Sequence, residues 1–479
     1  MKQKIYSFLF SVILLLGISC ENILDKDPIG TLDAGSFFQT EADAVQAMNA
    51  AYKSLTFSNS NNNFYWAFGV LAGDEAIAGG DGSRSGMVEI DALTHTPRTE
   101  ELNSFWRLQY SGITQCNLVL DKIQQINFTP LVRNRIIGEA LFLRSYYYFL
   151  LVQVFGDVPL YATLVAPDKL KIPRNSKTEI FNQIVADCDR ASTLLPNSYS
   201  SADLGRVTKG AALALAAKVS LYQKNWDKTL EFISRIKALA VYALVPRYED
   251  NFKELTQNNS ESVWEIQHTN LELGVGNSLN QWWTSKKVTG GYGFAEVTES
   301  LFNAFETGDP RRSFTIAMNN EDYYGVVYKN SFSSTRYSPR KYLQTDSTTT
   351  QKADGDINYT AIRYAEVLLW EAEALAELGR VNEAGIPLEL VRSRARAQAS
   401  NPATALPKIV TTDKQTMINA IRHERQVELG FEMHRFFDLV RWGIAAMNIP
   451  EFKTGKHEVF PIPQTEIDLN PKLIQNPGY

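Results

Sequence analysis

Ala372 and Ala384 stand twelve residues apart across Gly379–Arg380, one in the apolar-periodic stretch Ala361–Leu378 and the other in Glu383–Ala397. Two small residues at that interval let paired helices pack closely, which is the spacing of a tetratricopeptide hairpin. Ala217 and Thr229 hold the same offset between Val207–Gln223 and Trp226–Leu239, joined by Lys224–Asn225. The Thr makes that copy looser, and full consensus repeats do not follow one another in tandem. The pattern predicts a mainly α scaffold of helical hairpins interrupted by long insertions.

Ala42–Leu55, Leu102–Ile126, Ser176–Leu195 and Lys414–Trp442 carry the same helical period. Leu131–Val154 is a long apolar helix crowded with Phe142, Tyr146, Tyr147, Tyr148 and Phe149, and Gly156 and Pro159 stop it. Two stretches break the pattern. Residues 57–98 contain NSNNNFYWAF and AIAGGDGSRSG, and residues 240–356 are rich in Asn, Ser, Thr, Gly and aromatics, with short strand-like runs such as SVWEIQH. Long ordered loops on a rigid frame are where binding sites usually lie.

A formal net charge of −5 argues against a nucleic-acid groove, because phosphate binding needs a basic surface. At the N-terminus, Lys2 and Lys4 precede the apolar run Ile5 to Ile18, and Ser19–Cys20 follows. A charged start, an apolar core and a small exit residue make a secretory signal. Cys20 directly behind it reads as a lipoprotein attachment site, with Gly17 where Leu usually stands and Leu16 one place earlier. Residues 1–19 are then the signal peptide, and residues 20–35 the lipidated Cys and its short acidic tether. Residues 36–479 form the folded domain. Cys116 and Cys188 lie in helical patterns and are expected as buried free thiols.

The stretch IRHERQVELGFEMHRFFDLVRWG, Ile421–Gly443, packs His, Glu, Arg and Asp among aromatics. HER at His423–Arg425 begins a zinc motif, but residue 427 is Val, so that metal site is absent. The charges alternate in sign at helical steps. Arg425 with Glu428, Glu432 with Arg435, Arg435 with Asp438, and Asp438 with Arg441 can pair along one helix. The reading is a helix fixed to its neighbours by packing and ion pairs, with no catalytic residues.

The same stretch resembles the signature helix of SusD/RagB-type lipoproteins of Bacteroidetes-like bacteria. The resemblance runs in order through LDKDP, EALFLRSYYYFLLVQVFGDVPL, GRVTKGAALALAAKVSLYQKNWDKTL, FETGDPRR, SPRKY, IRYAEVLLWEAEALAELG, FPIPQTEIDLNP and LIQNPGY. It implies a SusD-like scaffold of tetratricopeptide-like hairpins, with irregular loops and a few short strands. It also implies a glycan-binding lipoprotein on the outer face of the outer membrane, which delivers its ligand to a TonB-dependent transporter of the SusC type. The family's carbohydrates vary, so the sugar does not transfer.

A sugar ring has a face of C–H groups and an equator of hydroxyls, so aromatic rings with polar side chains at the rim are the candidates. In NQWWTSKKVTGGYGF, Trp282 and Trp283 are expected to point to opposite sides of an extended loop, with Tyr292 between glycines and Asn280, Gln281 and Lys286 as polar partners. A second set is Asn63–Trp66 with Asp81 and Arg84. Tyr323 and Tyr324 are a third. Asp74 and Glu75 read as loop-fixing groups. The sequence shows no GxSxG, phosphate loop, EF-hand or metal cluster, so no cofactor or metal is expected. A helical-repeat adaptor that binds peptide or protein is the alternative to glycan binding.

Overall fold

The computed structural model describes residues 38–126, 128–271, 273–344 and 352–479. The expected signal peptide, the expected lipid attachment at Cys20 and the expected tether lie outside them. The frame consists of α1 (Glu41–Lys53), α2 (Glu100–Lys122), α3 (Pro130–Phe155), α4 (Lys177–Leu194), α5 (Lys209–Tyr222), α6 (Trp226–Ala238), α7 (Tyr364–Glu377), α8 (Val381–Ala397), α9 (Lys414–Leu429) and α10 (Arg435–Arg441). Helices α2 to α8 pack in chain order, each on the next. α1 lies against α2 and α3, and α9 against α7 and α8. α6 therefore meets α7 directly, although more than a hundred residues separate them in sequence. The expected hairpin scaffold is what forms.

Local chemistry explains the elements. Thr40 and Ser176 each close a capping box, with Asp43 and Glu179, at the starts of α1 and α4. α3 is buried on every side from Ile136 onward, as an all-round apolar helix must be. Its neighbour α2 approaches so closely that a Cβ on Gly112 would lie 2.2 Å from Cζ of Tyr147. The paired small residues Ala217, Thr229, Ala372 and Ala384 are all buried. Thr229 fits because its hydroxyl donates back to the Asn225 carbonyl at 2.9 Å. Cys116 and Cys188 are buried and free.

The strands form antiparallel two-stranded ribbons. β1 (Ala76–Ala78) pairs with β3 (Ala295–Val297), and β2 (Ser262–Ile266) with β8 (Tyr359–Arg363). β4 (Ile316–Ala317) pairs with β7 (Ser338–Pro339), and β5 (Asp322–Tyr323) with β6 (Val326–Val327). The β2–β8 ribbon closes the base of the long insertion. Because Tyr359–Arg363 is drawn into it, α7 starts at Tyr364 rather than at Ala361.

The expected helix Lys414–Trp442 is two helices. α9 ends at Leu429, the chain turns through Gly430–His434 with φ of 61° at Phe431 and 68° at Met433, and α10 restarts at Arg435. The helical turn Ala67–Leu71 presses on that break, where a Cβ on Gly69 would sit 2.5 Å from the Met433 carbonyl oxygen. Glu75 then accepts the Phe431 N–H at 3.1 Å, satisfying a donor that the interrupted helix leaves free.

Candidate functional site

The break at Gly430 redirects the ion pairs. Of the four expected along one helix, Asp438 with Arg441 forms, at 2.8 Å. Arg425 goes instead to Asp438 (2.8 Å), Arg435 to Asp74 (2.7 and 2.8 Å), and Glu432 to Lys341 and Arg363 (2.7 Å each). Glu428 meets Arg311 at 2.8 Å and also receives Arg363 and Arg394. The turn swings the acids away from their helical neighbours and toward residues of the insertion.

These contacts join into one buried network. Arg311 holds Asp309 (2.8 Å) and Glu424; Arg392 holds Glu424 (2.9 Å); Arg394 and Arg363 hold Glu261 (3.0 and 2.8 Å). Arg311, Lys341, Arg363, Arg392 and Arg394 face Glu261, Asp309, Glu424, Glu428 and Glu432, so the charges balance, and all of these residues are buried. Burial pushes the Glu428 carboxyl up, but the Arg394, Arg363 and Arg311 guanidiniums outweigh it and hold it well below the usual range. Burial lowers Lys341 to about 8 against the pull of Glu432. Every carboxylate is committed to a cation. The arrangement ties α8, α9, β8 and the short helix Arg311–Thr315 together, which is a frame rather than a reacting centre.

The residues expected to bind sugar divide. Trp66, Trp282, Trp283 and Asn280 are core residues, with Trp282 only 4% exposed and the others closed to solvent. Leu279–Trp283 is a short helix rather than an extended loop, so the two Trp side chains do not point to opposite sides. Trp282 lies tilted against Trp66 and Trp283 meets Trp66 edge-on (6.0 Å each), and Trp283 also meets Phe431 edge-on at 5.5 Å. Asn280 accepts the Gln344 N–H at 3.1 Å. As they stand, these four cannot lay a face or a polar group against a ligand. Tyr323 is likewise buried.

Of the remaining candidates, Asp81, Arg84, Lys286 and Tyr292 lie in the segments that β1 and β3 bring together. β1 pairs with β3 in the register Ala76↔Val297 and Ala78↔Ala295, and the Gly79 N–H reaches the Phe294 carbonyl at 3.1 Å. That pairing sets Asp81 beside Lys286, and a Cβ on Gly80 would lie 3.1 Å from the Tyr292 carbonyl oxygen. Lys286 and Asp81 meet at 2.7 Å with both side chains about half exposed, 49% and 51%. Asp81 also accepts the Ser83 N–H at 3.0 Å. The Lys286 hydrogen bond holds its carboxyl well below the usual range. The Arg84 guanidinium lies over Phe64 at 5.7 Å. Tyr292 is 43% exposed, tilted against Phe294 at 5.2 Å, and among the described residues it is the one aromatic side chain left exposed. Asp74 and Glu75 fix this loop from below through Arg435 and the Phe431 N–H.

Fold and surface together define a class, a helical-hairpin scaffold that carries a loop-built polar and aromatic patch. Comparison with known proteins gives the family. A family profile described as the SusD family matches residues 260–459, and one described as starch-binding associating with outer membrane matches residues 34–221. SusD-like protein P2 of Formosa agariphila is 27% identical, with 100% of both chains covered. Among solved structures, a laminarin-binding SusD-like protein is 27% identical with a TM-score of 0.79, covering 92% of this chain and 100% of its own. Surface glycan-binding protein A from Bacteroides uniformis is 26% identical with a TM-score of 0.78, covering 91% and 99%. The chain belongs to the SusD/RagB family.

Proposed function

We propose that this chain is a non-catalytic, glycan-binding lipoprotein of the outer membrane. It is anchored through Cys20 after removal of residues 1–19 and faces outward. It captures an oligosaccharide or polysaccharide and delivers it to a TonB-dependent transporter of the SusC type. Several acyl chains on Cys20, each buried methylene contributing about 0.8 kcal/mol, hold such a protein at a membrane where one chain would not.

The observation that carries the reading is the exposed Tyr292 ring in the same loop surface as the exposed Asp81–Lys286 pair. A ring of that kind accepts the C–H face of a sugar, while a carboxylate and an ammonium on the same surface meet hydroxyls as acceptor and donor. The family context supports the ligand class, since relatives are described as binding starch, laminarin or surface glycans.

The test is affinity electrophoresis through gels containing laminarin, starch, xylan, mannan or pectin, followed by calorimetry on any polysaccharide that retards the protein. Tyr292→Ala should weaken the retarding interaction at least tenfold. Migration unaffected by every polysaccharide, or binding untouched by Tyr292→Ala, overturns the assignment. A peptide ligand with no response to sugar would favour the adaptor.

A further inference from the structure

Two segments, residues 76–91 and 280–300, build the surface that carries Tyr292. Lys286 reaches Asp81 at 2.7 Å, and a Cβ on Gly293 would lie 2.9 Å from the Lys286 backbone nitrogen and 3.5 Å from its Cβ. Lys287 follows in the chain, and Arg84 stands three residues beyond Asp81. Arg84, Lys286, Lys287 and Tyr292 are all exposed, so a ligand can reach each of them.

The charges of these segments are unevenly committed. Asp81 and Glu299 are the exposed acids, and each has its cation, Lys286 and Arg336. Glu89, Asp91 and Glu296 are half-buried and accept from the Thr99 hydroxyl (2.5 Å), the Ala78 N–H (2.9 Å) and the Ser334 N–H (2.8 Å). Arg84 and Lys287, by contrast, have no carboxylate within ion-pair distance among the described residues. Arg84 is nonetheless held in place. Its guanidinium rests on the Phe64 ring at 5.7 Å, and that ring stacks on the buried Trp282 at 6.2 Å. The Lys286–Asp81 pair lies in solvent, where ion pairs are weak, so Lys286 can exchange its partner.

A net charge of −5 disfavours a polyanion at long range, so docking one takes local cations that outnumber the exposed acids. Arg84, Lys286 and Lys287 do so around Asp81. Arg and Lys only donate. A neutral sugar offers them hydroxyls, whereas a uronic acid or a sulfate ester offers charge as well, and the guanidinium fork meets two oxygens of either group at once. We propose that the Tyr292 surface takes an anionic saccharide, bearing carboxylate or sulfate, with a sugar face on Tyr292 and the charge met by Arg84, Lys286 and Lys287. The proposal rests on the glycan-binding reading above and deepens it by naming the class of sugar.

Calorimetry of the mature chain tests it, with polygalacturonate and alginate as carboxylated probes, carrageenan as the sulfated one, and laminarin, starch and mannan as neutral ones. The carboxylated and sulfated arms distinguish the two anions. At least one acidic probe should bind more tightly than every neutral one, and its Kd should rise at least about tenfold between about 50 and about 500 mM NaCl as the cations are screened. Arg84→Gln and Lys287→Gln, with melting curves that match the native one, should each raise that Kd about three- to tenfold, as loss of one charged contact does. Tyr292→Ala should raise it at least about tenfold. If a neutral probe binds as tightly as any acidic one and Tyr292→Ala weakens it, the anionic class is refuted and the glycan-binding reading stands. Acidic binding indifferent to salt and to both cation variants refutes the class as well. Silence with every probe, or binding that Tyr292→Ala leaves untouched, overturns both.

Discussion

Replacing Glu428 by Gln tests whether Ile421–Gly443 is a frame. The native carboxylate receives Arg363 and Arg394 on one oxygen and Arg311 on the other, at 2.8 Å. An amide keeps the shape but turns an NH₂ toward a guanidinium and leaves positive charge unbalanced in a site closed to water. Breaking one partner of a buried ionic cluster costs about 3–5 kcal/mol. Unfolding entropy near 2.1 cal/mol/K per residue gives, for residues 38–479, about 0.9 kcal/mol/K, so Tm should fall by about 4 °C. Differential scanning calorimetry at pH 7 reads this. Glu383→Gln is the control, because Glu383 pairs with Arg380 at a 53% exposed position and should shift Tm by less than about 1 °C. The sign with pH also follows. A carboxyl depressed in the folded state contributes stability above its unfolded pKa of about 4.5 and loses it as pH falls, so the gap between native and variant should shrink below that pH. Saccharide binding by the folded variant should stay within about twofold of native. A Tm drop no larger than that of Glu383→Gln, or lost binding with unchanged Tm, would refute the frame.

Three further outcomes are expected. Trp282→Ala should cost about 3–5 kcal/mol in urea unfolding, whereas Tyr292→Ala should cost less than about 0.5 kcal/mol; equal losses would mean that the core and surface assignments are wrong. Glu75 is raised by burial to about 8, against 4.5 when unfolded, so the native fold binds the extra proton and stability should decline as pH climbs from about 4.5 to 8. Glu75→Gln should flatten that decline, and an unchanged slope would remove Glu75 as its source. Cys20→Ala should move the protein from the membrane to the soluble fraction on ultracentrifugation, and retention would disprove the anchor.

The hairpins were legible because periodicity and small-residue spacing are local. Ala372 and Ala384 report a helix pair that needs nothing else to explain it. What misled was the difference between residue type and residue position. Trp282 and Trp283 look like ligand platforms, but a one-turn helix and contact with Trp66, more than two hundred residues away, make them core. Asp81 and Tyr292 fell into separate candidate groups because nothing in either segment announces the β1–β3 pairing. The helix break at Gly430 is long-range too. A single Gly inside a periodic run reads as tolerated, and only the pressure of Ala67–Leu71 against Met433 turns it into a corner.

Direct packing of α6 on α7 carries the handle past the intervening residues, which grip it along two seams: a charged one where Arg311, Lys341 and Arg363 cross over, and an aromatic one where Trp264, Trp282 and Trp283 meet Phe142, Trp66 and Phe431. Changes in length or sequence away from both seams can therefore alter which molecules are grasped without asking the handle to refold. The charged seam allows least, because one altered charge there must be answered by its opposite.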